Sequence, residues 1–163
     1  MKKVIRNSLF ETNSSSTHVI TVKRGGSLDV PDELVFSVGN YGWEFAEYSS
    51  LGDKASYLYT AICQLYDDAE REKIMNTLVR YLNEIGVEAT IIAPNPKDWY
   101  GVDHAGELSE FLDSILEDKN LFYNYLFDSS STIYTGNDND DYDDDFFPDQ
   151  DDLFNYDYFY KGN

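Results

Sequence analysis

The sequence is poor in the residues from which covalent and cofactor sites are usually built: it has one cysteine, two histidines, two methionines and two tryptophans in 163 residues. The lone Cys63 excludes an internal disulfide, and no Cys-His zinc spacing exists. Because Cys63 lies inside an apolar run, it is expected to be a buried thiol rather than a nucleophile. No apolar run approaches the roughly 18 residues of a membrane span. The opening Met1-Lys2-Lys3-Val4-Ile5-Arg6 is basic, but no apolar stretch follows it, so it does not read as a secretory signal. A reducing cytoplasm is the expected compartment. A glycine-rich phosphate loop is also missing, since Gly25-Gly26 lacks both the following Lys-Ser/Thr and the strand–loop–helix setting.

Positive charge is scarce. Twelve Lys and Arg face 31 Asp and Glu, for a net charge of −19. A field of that sign repels phosphates, which disfavours direct binding to nucleic acid or anionic membranes and favours a cationic partner. The charge is segregated. Met1 to Arg24 is basic, with Lys2, Lys3, Arg6, Lys23 and Arg24 against Glu11. Gly25 to Thr135 holds 20 acids against 6 bases, and Gly136 to Asn163 holds ten Asp against Lys161. Hydrophobic residues make up 42%, enough for a core in one domain of this length. Aromatics reach 16%, with 14 Tyr and 10 Phe, residues that fill cores and also anchor contact surfaces.

Hydrophobic periodicity predicts an α/β (α+β) domain over residues 1–136, with a small mixed sheet and about three to four helices. Thr17 to Lys23 alternates as a strand with His18, Ile20 and Val22 on one face. Leu34 to Val38 is a second strand, and Tyr41 to Tyr48 a further one. Leu51, Ala55, Leu58, Ile62 and Leu65 form a helical stripe capped by Asp53. Asp67 and Glu70 have capping-box spacing for a second helix, whose buried stripe is Ile74, Leu78, Tyr81, Leu82 and Ile85, and Gly86 ends it. Val87 to Ala93 reads as a buried strand. A helix over Gly106 to Asp118 buries Leu108, Phe111, Leu112 and Ile115. A short helix, Leu121 to Phe127, follows, and Ser131 to Thr135 is expected to be the last strand.

Residues 137–163 form an acidic, aromatic tail. Its run Asp138-Asn139-Asp140-Asp141-Tyr142-Asp143-Asp144-Asp145 has the composition of disorder. Yet Phe146, Phe147, Phe154, Tyr158 and other rings are interleaved with Asp149, Asp151 and Asp152, a pattern that suits docking on its own domain or folding on a partner. As a Ca²⁺ loop the run fails. Counted from Asp138 it has no Gly at the sixth position and no Glu at the twelfth.

The segment Phe10-Glu11-Thr12-Asn13-Ser14-Ser15-Ser16-Thr17-His18, preceded by Arg6-Asn7 and followed by Val19-Ile20, resembles the N-terminal signature of small phage and bacterial proteins to which no activity is attached. Two further stretches carry the likeness, Gly42-Trp43-Glu44 leading into Lys54 to Ala61, and Ile133 to Asp138. The resemblance spans the folded part and implies a phage or mobile-element origin, not a mechanism. Many small acidic phage proteins antagonise host nucleic-acid machinery, including restriction and CRISPR systems.

As chemistry, the serines set hydroxyls beside an imidazole, but nucleophilic catalysis needs a base in hydrogen-bond reach and a group to orient it. In a strand, Ser16 and His18 share a face about 7 Å apart along the chain, long for proton transfer. The segment is therefore expected to be structural, with His18 hydrogen-bonded at a core edge. His104 with Asp103 lacks the further ligands of a zinc site. The pairs Glu44/Glu47 and Glu107/Glu110 read as solvated faces rather than acid–base pairs.

Neither a cofactor nor a metal is expected. The expected function is a binding protein whose acidic surface mimics nucleic acid toward a basic, nucleic-acid-binding host protein. The contacts would be Asp138, Asp140, Asp141, Asp143, Asp144, Asp145, Phe146, Phe147, Asp149, Asp151, Asp152, Phe154 and Tyr158. The alternatives are a small enzyme using Ser14 to His18, and an accessory phage protein whose acidity only keeps it soluble.

Overall fold

The computed structural model describes residues 16–23, 27–137, 148 and 156–162. They form an α+β fold with four α-helices and a four-stranded antiparallel sheet, accompanied by two short parallel strand pairs. The central strand β1 (Ser16–Val22) has the expected alternation, but six of its seven residues are buried, so both faces are covered. Strand β2 (Glu33–Phe36) buries Leu34 and Phe36 and exposes Val35, as period two requires.

Tyr41 to Tyr48 is not one strand. Gly42 takes φ +92°, a left-handed conformation that ends the pleat. The stretch divides into β3 (Asn40–Tyr41) and β4 (Ala46–Tyr48).

Helix α1 (Leu51–Leu65) is the core element. Of the expected stripe Ala55, Leu58, Ile62 and Leu65 are buried and Leu51 is half-buried; the helix also buries Lys54, Tyr57, Tyr59, Thr60, Ala61 and Cys63, so it is enclosed nearly all round. Its cap is Ser50, not Asp53. The Ser50 Oγ accepts from the Asp53 amide at 3.1 Å and donates to the Asp53 carboxylate at 2.6 Å. Asp53 thus occupies the third helical position, where a carboxylate closes a capping box.

Helix α2 (Asp68–Glu84) starts as expected, with the Asp67 carboxylate accepting from the Glu70 amide at 2.9 Å. It ends in a Schellman motif around Gly86 (φ +82°), with Val87 N–H to the Leu82 carbonyl and Gly86 N–H to the Asn83 carbonyl. Ile85 stands at that terminus, 36% exposed, and does not belong to the buried stripe.

Strand β5 (Glu88–Ile91) is not buried. It pairs in parallel with β2 alone, and Ile91 and Ile92 are 42% and 52% exposed. A two-stranded ribbon covered on one side leaves its other side in water. Strand β6 (Gly101–Val102) pairs in parallel with β3.

The third predicted helix begins as a 3-10 turn (Ala105–Leu108) and continues as α3 (Ser109–Glu117), with Leu108, Phe111, Leu112 and Ile115 buried as expected. Asp118 caps α4 (Lys119–Phe127). Strand β7 (Thr132–Asn137) pairs with both β1 and β4, but it is not the last strand. Within the stretch assigned to the tail, β8 (Tyr158–Gly162) pairs antiparallel with the free edge of β1, giving the order β4-β7-β1-β8. Tyr158 and Tyr160 lean on Phe111, with ring centroids 6.2 and 6.1 Å away. Among the described residues no helix is long and apolar enough to cross a membrane.

Candidate functional site

Gly42, helix α1 and strand β7 meet around His18. Its register partner on β7 is Thr135, whose hydroxyl donates to the Glu44 carbonyl at 3.1 Å. Tyr57, from α1, holds its hydroxyl 2.9 Å from His18 Nδ1. The backbone of Gly42 abuts the imidazole: a Cβ there would lie 2.9 Å from His18 Cε1 and 3.1 Å from the Asp103 Cβ.

Hydrogen bonding fixes the state of this ring. Nε2 lies 2.6 Å from the Asp103 carbonyl oxygen, which can only accept, so Nε2 carries the proton. Nδ1 is then the acceptor for Tyr57. Burial lowers the His18 pKa to about 4, against the Asp103 hydrogen bond that raises it. The ring is therefore neutral near pH 7.

Ser16 Oγ lies 3.4 Å from the same Nε2. This corrects the spacing expected from the strand, because the two side chains lean together across the pleat. The contact is nonetheless not a nucleophile–base pair. Ser16 meets an N–H already committed to Asp103, not a lone pair, and both side chains are fully buried. The arrangement ties the start of β1 to the Asp103 loop.

A second buried polar centre has Lys54 at its middle. Its Nζ donates to the carbonyls of Asp128 (2.9 Å) and Ser131 (3.3 Å), so it closes the turn between α4 and β7. Burial lowers its pKa to about 8, partly offset by the Asp128 charge. The sequence carries a signal for this that was missed, since Lys54 falls at helical spacing between Leu51 and Leu58 on the buried side.

Asp103 also lines an open pocket of about 400 Å³. Its frame is the β3–β6 pair, clamped by the Gln64 side chain, which accepts from the Val102 amide at 2.7 Å. Gly101 permits that approach, for a Cβ there would stand 3.2 Å from Gln64 Oε1. The turn after Pro94 is closed by the Asp98 amide donating to the Asn95 carbonyl at 3.0 Å, and Trp99 follows it. Trp99 and Trp43 line the pocket with centroids 5.2 Å apart, and they are 67% and 47% exposed. Exposed tryptophans at a pocket make it the candidate contact surface. Sequence reasoning missed this site, although a Trp in a Pro-bounded polar loop was a signal for it. Cys63 forms part of the wall, buried, its thiol pKa pushed up by desolvation.

Of the contacts expected from sequence, those from Asp138 to Phe154 lie outside the described residues. Tyr158 is partly buried against its own domain, with its hydroxyl 3.4 Å from Ser114 Oγ. His104 Nδ1 stands 4.0 Å from Glu107. Among the described residues no three His, Cys, Asp or Glu side chains are grouped to hold a metal ion. No protein-family model, no curated protein and no solved structure matches the chain.

Proposed function

We propose that this chain is an acidic binding protein of phage or mobile-element origin. It would act in the host cytoplasm by occupying the basic, nucleic-acid-binding face of a host protein. The observation that carries this reading is the charge of −19, much of it on the folded part, where Gly25 to Thr135 holds 20 acids and 6 bases. Of those bases Lys54 is buried, and Arg71, Arg80 and Lys119 each face a carboxylate. The negative excess of that stretch stays on its surface, since the buried Lys54 is matched by the buried Asp128 and the ion pairs cancel carboxylate and cation charge alike.

Carboxylates arrayed on such a surface engage the Lys and Arg side chains that otherwise hold phosphates, and the long-range field speeds encounter. Each exposed ion pair contributes only about 0–1 kcal/mol, so residence requires aromatic anchors that bury on contact. The protonated Nε2 of His18 weighs against the enzyme reading, because it leaves Ser16 without a base.

The test is capture of host proteins on the immobilised full chain, identification of what binds, and challenge with duplex DNA. A nucleic-acid-binding protein that is displaced by DNA, and whose own DNA binding is lost when the chain is added, is the expected result. Capture that DNA does not compete, or a captured protein that still binds its nucleic acid, would sink the reading.

A further inference from the structure

The pocket at Trp43 and Trp99 joins features that point to one ligand chemistry. It holds both tryptophans of the chain, both substantially exposed, and its lining includes the carboxylate-bearing Asp98 and Asp103 but neither lysine nor arginine. The indoles already touch each other, with centroids 5.2 Å apart. A flat group between them would need about twice the ~3.5–4 Å contact distance, so nothing can be sandwiched there. What remains is the outer face of an indole, most open at Trp99, in a lining that also carries Asp98 and Asp103. An indole face attracts cations through its quadrupole, and a carboxylate at its edge adds directional acceptors. A nucleotide would bring phosphate into the field of a chain with net charge −19. Between the two protein cations, guanidinium is the better match. It is planar, weakly hydrated, stacks on aromatic faces and pairs with a carboxylate through a fork of N–H groups, whereas ammonium is a compact, strongly hydrated point charge.

We infer that this pocket is a receptor for an arginine side chain of a basic partner, with the guanidinium stacked on Trp99 and its N–H groups donating to Asp98 or Asp103. The inference rests on the binding-protein reading and gives it a short-range anchor. The anchor sits on rigid structure: Gln64 clamps β6 from α1, and the Asp103 carbonyl is held by His18. His104, also in the lining, has its Nδ1 4.0 Å from the Glu107 carboxylate of this chain.

Because the chain has only two tryptophans, their indole N–H resonances report on this pocket alone. The experiment titrates the full chain with a short, otherwise neutral peptide carrying one arginine. Parallel titrations use the citrulline and lysine counterparts and adenosine monophosphate. The arginine peptide is expected to shift both indole signals saturably, the lysine peptide to bind several-fold more weakly, and the citrulline peptide and nucleotide to leave the signals in place. Trp99→Ala, at a largely exposed position, is expected to weaken binding about tenfold, and Asp98→Asn severalfold. Should Trp99→Ala fail to fold, Asp98→Asn carries the test by itself.

Equal shifts with citrulline, a preference for the nucleotide, or no shift at all would overturn the assignment. So would indole shifts that depend on protein concentration without peptide, which would make a second copy the occupant. The two readings separate cleanly. A partner captured equally well by wild type and Trp99→Ala refutes the arginine receptor and leaves the binding function standing. An arginine-specific shift without any DNA-competed partner does the reverse.

Discussion

Gly42 presses its backbone onto the imidazole of His18, so closely that a Cβ at Gly42 would lie 2.9 Å from Cε1. The same residue takes φ +92°, where an L side chain is strained. Gly42→Ala therefore meets two penalties together, strain and a clash with a ring that cannot retreat from Tyr57 and Asp103. A loss of at least about 1–3 kcal/mol is expected, read as a lowered denaturation midpoint. A midpoint unchanged from wild type would mean that the β3–β4 turn relaxes and does not hold His18.

His18 should make the fold acid-sensitive over a defined window. Its pKa falls from an ordinary 6.5 to about 4 in the folded chain. Below pH 6.5 the unfolded chain takes up a proton that the folded chain refuses, so stability is full above 6.5 and declines as pH falls toward 4. The decline from this group is on the order of 3 kcal/mol. The groups facing the ring are the Tyr57 hydroxyl, Ser16, the Asp103 carbonyl and, at longer range, His104. Carboxylates titrate toward the lower end of the same range, so the informative quantity is the difference between wild type and His18→Gln. That difference should narrow steadily between about pH 6.5 and 5. Parallel stability curves for the two proteins would refute the neutral buried imidazole.

The elements that were legible in the sequence are those with a local cause. Asp67, through its carboxylate, and Gly86, through its backbone, punctuate α2 with hydrogen bonds within a turn of themselves, and the stripes of α1 and α3 follow from period alone. What escaped depends on contacts between distant residues. The state of His18 is set by Tyr57 and Asp103, 39 and 85 residues away, and the burial of Lys54 depends on carbonyls more than 70 residues further on. β5 looks buried by composition, yet its exposure is decided by how few strands join it. The pocket is the same kind of case, since Trp43 and Trp99 become one surface only once β3 has paired with β6.

Lys54 offers a test of the second buried centre. Lys54→Met keeps the volume but leaves the Ser131 carbonyl without its ammonium donor and the Asp128 carbonyl with the Ser131 amide alone, which should cost about 1–3 kcal/mol. The pH dependence carries a signature of its own. With a folded pKa of about 8 against an ordinary 10.5, the unfolded chain holds its proton longer as pH rises. The wild type should therefore gain stability from this group between about pH 8 and 9.5, and the variant should not. If Lys54→Met is as stable as wild type and follows the same pH curve, the ammonium is not what closes the α4–β7 turn.

The C-terminal stretch needs two different experiments, because β8 belongs to the sheet while the aspartate run precedes it. Removing residues 158–163 takes away the partner of one edge of β1 and the Tyr158 and Tyr160 rings on Phe111. Such a truncation should destabilise the fold by several kcal/mol, since burying a large ring contributes roughly 1.5–3 kcal/mol by itself. Replacing Asp138, Asp140, Asp141, Asp143, Asp144 and Asp145 with Asn leaves both β8 and those rings in place. The denaturation midpoint should then stay within about 0.5 kcal/mol of wild type, while association with a DNA-competed partner slows and loses part of its salt dependence. Substituting Phe146, Phe147 and Phe154 with Ser should instead raise the off-rate and spare the on-rate, because buried anchors set residence time. If neither set of substitutions changes either rate, the aspartate run and its rings take no part in binding. The acidic surface of residues 25–135 and the tryptophan pocket would then have to account for the partner between them.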